Sequence, residues 1–507
     1  MEAHSRIGFD NSTYLKEQTA AILDRVNRFN DKLYLEFGGK ILFDYHAARV
    51  LPGFDPNVKM RLLQLLKDKI DVILCIHAGA IERKKIRADF GISYDNDALK
   101  TIDDFREWGI NITAIVITRY ENQPAAKAFK SRLEQRGIKV YTHYPIKGYP
   151  TDVELIVSDE GYGVNEYIKT TKPIVVVTGP GPGSGKLATC LNNLYHEYKC
   201  GIKAGYAKFE TFPIWDIPVD HMVNVAYEAA TVDLKDKVMI DEHHLKHYHQ
   251  KVVNYNRDIE AFNLLKRVLE KITGGESMYH SPTDMGVNRA SAGIVDDAVI
   301  AEASRQEIIR RYFRAAVDFA SGFVDKETLK RAARIMSKVG AKVEDRAVVL
   351  PARTAAKEAE ETGKGNAGIY CGASLQLHDG TIIVGKNSAL MHAASSMILN
   401  ATKHLAGLPD ALQLIPESII DSVTFLKKDI LNSKMVSLDL DETLIALSIS
   451  ALSNPAAKMA MEKLTLLRDC EVHLTHIPSP GDEAGLRKLE VNATSEPEFA
   501  GKNLFVS

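Results

Sequence analysis

One segment constrains this chain more than any other: Ile174-Val-Val-Val-Thr178-Gly179-Pro180-Gly181-Pro182-Gly183-Ser184-Gly185-Lys186. An unbroken β-branched run of this length reads as a strand buried on both faces, the kind found inside a parallel sheet. Four glycines within residues 179–185 follow, then a lysine, then apolar residues at three-four spacing over residues 187–198, which predicts a helix. Glycine lets the backbone take positive φ and approach a ligand closely. Successive N–H groups in such a turn form an anion-binding nest, and the helix N-terminus adds about half a positive charge. This is the physical recipe for a nucleotide β/γ-phosphate site. The candidate ligands are Gly179, Gly181, Gly183, Ser184, Gly185 and Lys186, and the expected cofactors are a nucleotide (ATP) and Mg²⁺. The match to the standard phosphate loop departs at two positions. Pro180 stands where the first glycine belongs, and Leu187 replaces the hydroxyl that follows the lysine, so either Ser184 or Thr189 substitutes for it or a metal is held elsewhere. The competing reading is a strand-to-helix turn that uses glycine for geometry alone.

The rest of the chain sets this loop in an α/β frame. Residues 71–76, 110–117 and 140–144 read as strands, with helical stretches at 56–69, 97–108 and 123–136 between them; residues 155–157 also read as a strand. Strands alternating with helices imply βαβ units on a mostly parallel sheet. From residue 233 the spacing turns helical, and from about residue 346 short strands return at 347–350, 374–377 and 381–384. His378-Asp379-Gly380 between the last two reads as a hairpin turn. A long helix is expected over 387–407, a mainly helical last hundred residues, and a loose tail over 496–507. The fold class is therefore α/β. A Rossmann-like parallel-sheet domain covers 1–232, a central helical domain 233–340, and a C-terminal α/β domain with a helical tail 341–507.

Composition narrows the function classes. The 507 residues carry a formal net charge of −2, without the basic excess of a dedicated nucleic-acid binder. No basic start with an apolar run and no long apolar stretch occurs, so neither a signal peptide nor a membrane span is expected. The five cysteines are odd in number and scattered, which fits free thiols in a reducing compartment. The expectation is a cytoplasmic protein with a small phosphate-containing ligand and no nucleic-acid or membrane partner.

Several other strings carry chemistry-bearing residues. Val238-Met-Ile240-Asp241-Glu242 resembles a short Walker-B strand, which makes Asp241 a candidate metal ligand; because the run is only three residues long, a strand or loop ending explains it better. His196-Glu197-Tyr198-Lys199-Cys200 has cysteine where a zinc peptidase has its second histidine, so it is not that motif. His243 and His247, four apart beside His244 and His249, could chelate a metal. Asp439-Leu-Asp441-Glu442-Thr443 copies the DxDxT string of haloacid-dehalogenase-like phosphatases, but lacks a solid strand before it and sufficient chain after it; a helix N-terminus explains it better. Gly385-Lys386-Asn387-Ser388, with His392 beyond, reads as a second anion site or, more simply, as a turn and a helix cap. Four polar strings read as pocket linings: Glu36-Phe-Gly38-Gly39-Lys40 with Asp44, His46 and Arg49; Lys208-Phe-Glu210-Thr211; Val253-Asn254-Tyr255-Asn256-Arg257-Asp258; and Ser281-Pro-Thr283-Asp284-Met-Gly286-Val-Asn288. The last also begins like a helix cap.

Seven strings together are similar to one uncharacterised bacterial family of about 500 residues. They are LYLEFGGKILFDYHAARVLPGF (33–54), VVVTGPGPGSGKLATCLNNLYHE (175–197), AGYAKFETFPIWDIP (204–218), AYEAATVDL (226–234), VNYNRDIEAF (253–262), SPTDMGVN (281–288) and DGTIIVGKNSALMHAASS (379–396). The resemblance covers essentially the whole chain. It implies either an ATP-dependent peptidase, a loose label, or a metal-dependent phosphotransferase that forms large homo-oligomers. Where an Asp-Pro-Phe-His-like stretch is expected the chain reads Asp241-Glu242-His243-His244, so no role is carried onto Glu242 or His243.

The residues and the resemblance converge on a metal-dependent phosphotransferase acting on a small metabolite. Lys208 or Arg257 would face the transferred group, and Asp284 would be the base or, with Asp241, a metal ligand. A metal-dependent hydrolase and a non-catalytic, oligomeric nucleotide-sensing or scaffold protein are the alternatives.

Overall fold

The computed structural model describes residues 7–29, 32–87 and 91–501. The described residues pack as two compact units, one over residues 7–304 and one over residues 305–501. The division expected at 232 and 340 follows changes of sequence character; by packing, residues 233–304 belong with the parallel sheet.

The first unit opens with the helix α1 (Asn11–Asn27) and is built on six strands: β1 (Lys32–Phe37), β2 (Ile70–His77), β3 (Ala114–Thr118), β4 (Val140–His143), β5 (Ile174–Thr178) and β6 (Ala204–Phe209). Their order is β4-β3-β2-β5-β1-β6, and every pairing is parallel. All five residues of β5 are buried because β2 and β1 flank it and helices cover both faces. Side chains alternate between two cores. Tyr34, Cys75, Val175, Val177 and Tyr206 pack on one face with Cys190, Leu191 and Leu194 of α2 (Lys186–Lys199) and with Phe262 and Leu269 of α3 (Asn256–Thr273). Leu33, Leu35, Val72, Ile174 and Val176 pack on the other with Met60, Leu62 and Phe105. Each such aliphatic side chain contributes about 1.5–3 kcal/mol when buried.

β2 and β5 send their connections to opposite sides, one toward β3 and the other toward β6. Their carboxyl ends therefore form a topological switch point, where open parallel sheets place ligands. A separate antiparallel pair, β7 (Val238–Ile240) and β8 (Val253–Tyr255), lies outside this sheet.

The second unit carries a sheet of order β10-β9-β11-β12, from β9 (Gly372–Gln376), β10 (Ile382–Lys386), β11 (Glu471–Leu474) and β12 (Asn492–Ser495). β9 and β10 form the expected hairpin: Gly380 takes φ +89°, and its N–H donates to Leu377 O. Several expected elements are corrected. Residues 155–157 are not a strand, because Asp152 caps a short helix, Val153–Ile156, by accepting from Leu155 N. Residues 347–350 instead open the helix Val349–Glu361. The helix expected from 387 begins only at Ala393. β1 ends at Phe37, and Gly38 and Gly39 then turn the chain. The tail beyond 501 lies outside the described residues. Among the described residues no helix is long and apolar enough to cross a membrane. All five cysteines are free thiols, and only Cys200 is exposed.

Candidate functional site

The glycine-rich turn leaves β5 at the switch point, and its glycines are there for contact as well as conformation. A Cβ at Gly179 would meet Ser184 Oγ at 2.4 Å and Cys75 O at 2.5 Å. One at Gly181 would meet the Tyr94 hydroxyl at 2.7 Å. Gly183 and Gly185 have φ of +74° and +92°. Gly185 also abuts Thr118, whose Oγ1 donates to Ser184 O at 2.8 Å and so ties the turn to the end of β3. The turn delivers the chain into α2 with no side-chain cap on its first N–H groups. Lys186 folds back, and its Nζ donates to Gly181 O at 3.3 Å. Among the described residues no carboxylate lies within ion-pair distance of it. Ser184 Oγ is buried without a hydrogen-bond partner, the residue being 3% exposed. Amides at a positive helix end, an ammonium and an idle hydroxyl are complementary to an oxyanion. A cavity opens beside this turn, lined by Gly39, Lys40, Phe43, Leu74, Asp97, Thr101, Asp104, Thr178, Gly179 and Pro180. It brings the Gly-Gly-Lys turn after β1 to the glycine-rich turn after β5.

A second polar centre sits at the ends of β1 and β6. The register sets Glu36 opposite Lys208. Tyr206 donates to Glu36 Oε2 at 2.8 Å. Lys208 Nζ reaches Asp258 Oδ2 at 2.6 Å and Glu210 Oε1 at 3.2 Å, and also contacts the Tyr255 hydroxyl. Tyr255 in turn donates to Glu210 at 3.0 Å. Gly38 makes room for this: a Cβ there would lie 2.1 Å from the Glu210 carboxyl. Burial raises the Glu210 pKa and Lys208 opposes the rise; with Asp258 and Glu36 repelling its charge, it is pushed up to about 7. Lys208 is held above its ordinary value although burial pulls the other way, because Asp258, Glu210 and Glu36 surround it. Phe212, Pro213, Trp215, Asn254, Pro282, Thr283 and Asn288 complete a pocket around Lys208, Glu210 and Asp258. Lys186 and Glu36 both act electrostatically on Cys75 and Cys190, so the turn and this centre share one neighbourhood.

Three of the four polar strings thus meet in one pocket, but the residues chosen from them take different parts. Lys208 faces the pocket. Arg257 turns to the fully buried Asp236 as a bidentate pair, at 2.6 and 2.9 Å. Asp284 closes a capping box with Ser281, and its Oδ2 accepts from His280 N, Ser281 N and the Tyr248 hydroxyl. Asp241 is fully buried; it caps Glu242–Tyr248 and accepts from Thr283 through its N–H and hydroxyl. β7 lies outside the parallel sheet with Met239 and Ile240 exposed, unlike the buried strand a Walker-B reading needs. Both aspartates are committed to backbone and hydroxyl donors. Among the described residues no three His, Cys, Asp or Glu side chains gather as a metal site. His247 stacks on His280 at 3.8 Å, and His243 packs against Phe262. His196 bonds Asn165 O, while Glu197 is buried with Lys32 and Tyr34.

In the second unit Lys386 pairs with Glu358, and Asn387 bonds the backbone of Cys371 and Ile369. Asp439 caps Leu440–Ser450 with Glu442 as the reciprocal partner, so the DxDxT-like string is a helix start. Sequence reasoning missed Thr118 and Tyr94 under the glycine-rich turn, and Phe212 and Trp215 in the pocket wall. The aromatic run after Lys208 was the one available signal for the last two.

These features define a two-unit α/β protein with a polar centre at the carboxyl edge of a parallel sheet. The chain belongs to a family that carries no assigned function: its N-terminal model, "Domain of unknown function DUF1846, N-terminal", matches residues 7–340, and the C-terminal counterpart matches 344–505. The chain is similar over 99% of its length to proteins named only UPF0371. It is 56% identical over 501 residues to one from Clostridium botulinum (strain Langeland), covering 99% of that protein. It is 55% identical to relatives from Clostridium tetani, over 500 residues and 99% of that chain, and Clostridioides difficile, over 502 residues and all of that chain.

Proposed function

We propose that this protein is a metal-dependent phosphotransferase that binds a nucleotide or phosphorylated metabolite through the glycine-rich turn. One observation carries the reading: Lys186 and the first turn of α2 present positive charge that, among the described residues, no carboxylate meets at ion-pair distance, beside a buried and unpartnered Ser184 hydroxyl. In this reading the N–H groups of residues 183–187 and Lys186 hold the phosphates. Phosphoryl transfer asks mainly for positioning and charge stabilisation, which such a cradle supplies. Asp241 and Asp284 do not fit as resident metal ligands, so the divalent ion enters with the phosphates of its nucleotide. The modest net charge of −2 and the lack of a long apolar helix among the described residues support a small-molecule ligand in the cytoplasm, away from nucleic acid and membrane. Exposed Phe425, Leu426, Ile430, Leu431, Ile445 and Ile449 in the second unit support a homo-oligomer.

A thermal-shift screen tests the reading. A ligand at a hundred times its Kd stabilises by about 2.7 kcal/mol, a visible shift. MgATP, inorganic phosphate and sugar phosphates are compared on wild type, Lys186→Ala and Ser184→Ala. The reading expects a Mg²⁺-dependent rise with at least one phosphate compound that Lys186→Ala abolishes. A rise that survives in Lys186→Ala refutes it.

A further inference from the structure

The Lys208–Glu210–Asp258 pocket has a chemistry of its own. One ammonium serves three carboxylates, Glu36, Glu210 and Asp258, so among the described residues that line the pocket no cation is left for an anionic ligand. The donors already have acceptors: Tyr255 gives its proton to Glu210, and Trp215 Nε1 donates to Asn288 O. The remaining capacity is acceptor capacity on carboxylate oxygens, backed by the flat apolar walls of Trp215, Phe212 and Pro282. A ligand for such a surface brings hydroxyl donors and a carbon skeleton, and no negative charge. The pocket stands at the end of β6, two strands from β5 across β1, on the order of 10 Å at ordinary strand spacing. That gap is comparable to the length of a triphosphate chain anchored on the glycine-rich turn.

We propose that this pocket receives a neutral polyhydroxylated molecule as phosphoryl acceptor and that Glu210 takes the proton of its attacking hydroxyl. The chemical step rests on the phosphotransferase reading; the binding step does not. The acceptor oxygen forms a bond to the terminal phosphorus of a nucleoside triphosphate. The bridging P–O bond breaks, and its electron pair leaves on the nucleoside diphosphate. The hydroxyl proton passes to a carboxylate oxygen of Glu210 and from there to water. Glu210 suits the task because Lys208 on the strand it follows, β6, Asp258 on α3, Glu36 on β1, Tyr255 on β8 and Tyr227 on the helix Met222–Ala230 all face it. Their balance, with burial, leaves it half-protonated near neutrality. A hydroxyl donating to Glu210 favours its ionised form, so ligand binding releases a proton and tightens as pH rises through about 7.

The test is titration calorimetry on the full chain at pH 6, 7 and 8, without nucleotide. The probes are D-glucose, myo-inositol and glycerol, with glucose 6-phosphate and ethanolamine as charged counterparts. The proposal expects at least one neutral polyol to bind with proton release. Glu210→Gln should weaken it about tenfold or more and flatten the pH dependence. Asp258→Asn serves as a second variant should Glu210→Gln lose its fold by circular dichroism, and is likewise expected to weaken polyol binding. Binding of only glucose 6-phosphate or ethanolamine overturns the proposal. So does an unchanged pH slope in Glu210→Gln, or no binding by any probe. Polyol binding that persists while wild type fails to bind MgATP would retire the phosphotransferase reading and leave the polyol site standing.

Discussion

Two glycines of the turn, two residues apart, separate conformation from contact. Gly183 and Gly185 both have positive φ, but a Cβ at Gly183 meets nothing within 4 Å, whereas one at Gly185 would sit 2.6–2.7 Å from Cγ2, Cβ and Oγ1 of Thr118. Alanine at 183 therefore carries only the left-handed backbone cost, about 1–2 kcal/mol. Alanine at 185 carries that cost and an overpacking cost of about 1–3 kcal/mol, because a β-branched residue buried at the end of β3 cannot swing away. In a unit of this size each kcal/mol lowers Tm by roughly 2 °C. Differential scanning calorimetry should find the Gly185→Ala transition several degrees below that of Gly183→Ala. Thr118→Ala in the Gly185→Ala background removes Oγ1 and Cγ2 and should recover part of the loss. Equal transitions in the two alanine variants, or no recovery, would refute the account of why glycine stands at 185.

Other parts of the molecule yield independent tests. Glu197 is fully buried, and its Oε1 accepts from Lys32 and Tyr34, each at 2.7 Å. Lys32→Met strands that carboxylate and should cost about 3–5 kcal/mol in urea unfolding; a loss below 1 kcal/mol would contradict the pairing. In the second unit burial pushes the Glu471 pKa up, but Arg310 and Arg346 overrule it and hold the carboxyl at about 2. A folded value below the unfolded one gives stability that is present above the ordinary carboxylate range near 4.5 and lost as pH falls toward 2. Glu471→Gln should therefore destabilise this unit at pH 7 and flatten its stability between pH 4.5 and 2, read by circular dichroism.

The parallel sheet was legible because its strands are β-branched runs with helical spacing between them, and β5 with its glycines was the clearest case. Short apolar runs misled. Residues 155–157 look like a strand, yet Asp152 makes them helical. Residues 347–350 look like another, yet Pro351 is tolerated in the first turn of Val349–Glu361. β11 and β12 escaped notice because their polar members are satisfied by residues far away in sequence. Arg346 reaches Glu471, Val472 O and Asn492 O, and His473 meets Thr494 and Glu496. At the site, polar density in the Lys208, Asn254 and Thr283 strings did mark a pocket. The individual parts depended on three-dimensional partners: Asp236 claims Arg257, Ser281 and Tyr248 claim Asp284, and Glu210 is left beside Lys208.

The most direct measurement is a crystal structure of the full chain with Mg²⁺ and a non-hydrolysable nucleoside triphosphate. Phosphate oxygens are expected on the N–H groups of residues 183–187, with Lys186 Nζ moved from Gly181 O onto the phosphates. A nucleotide bound elsewhere, or a turn still closed on Lys186 at saturating nucleotide, would contradict that expectation.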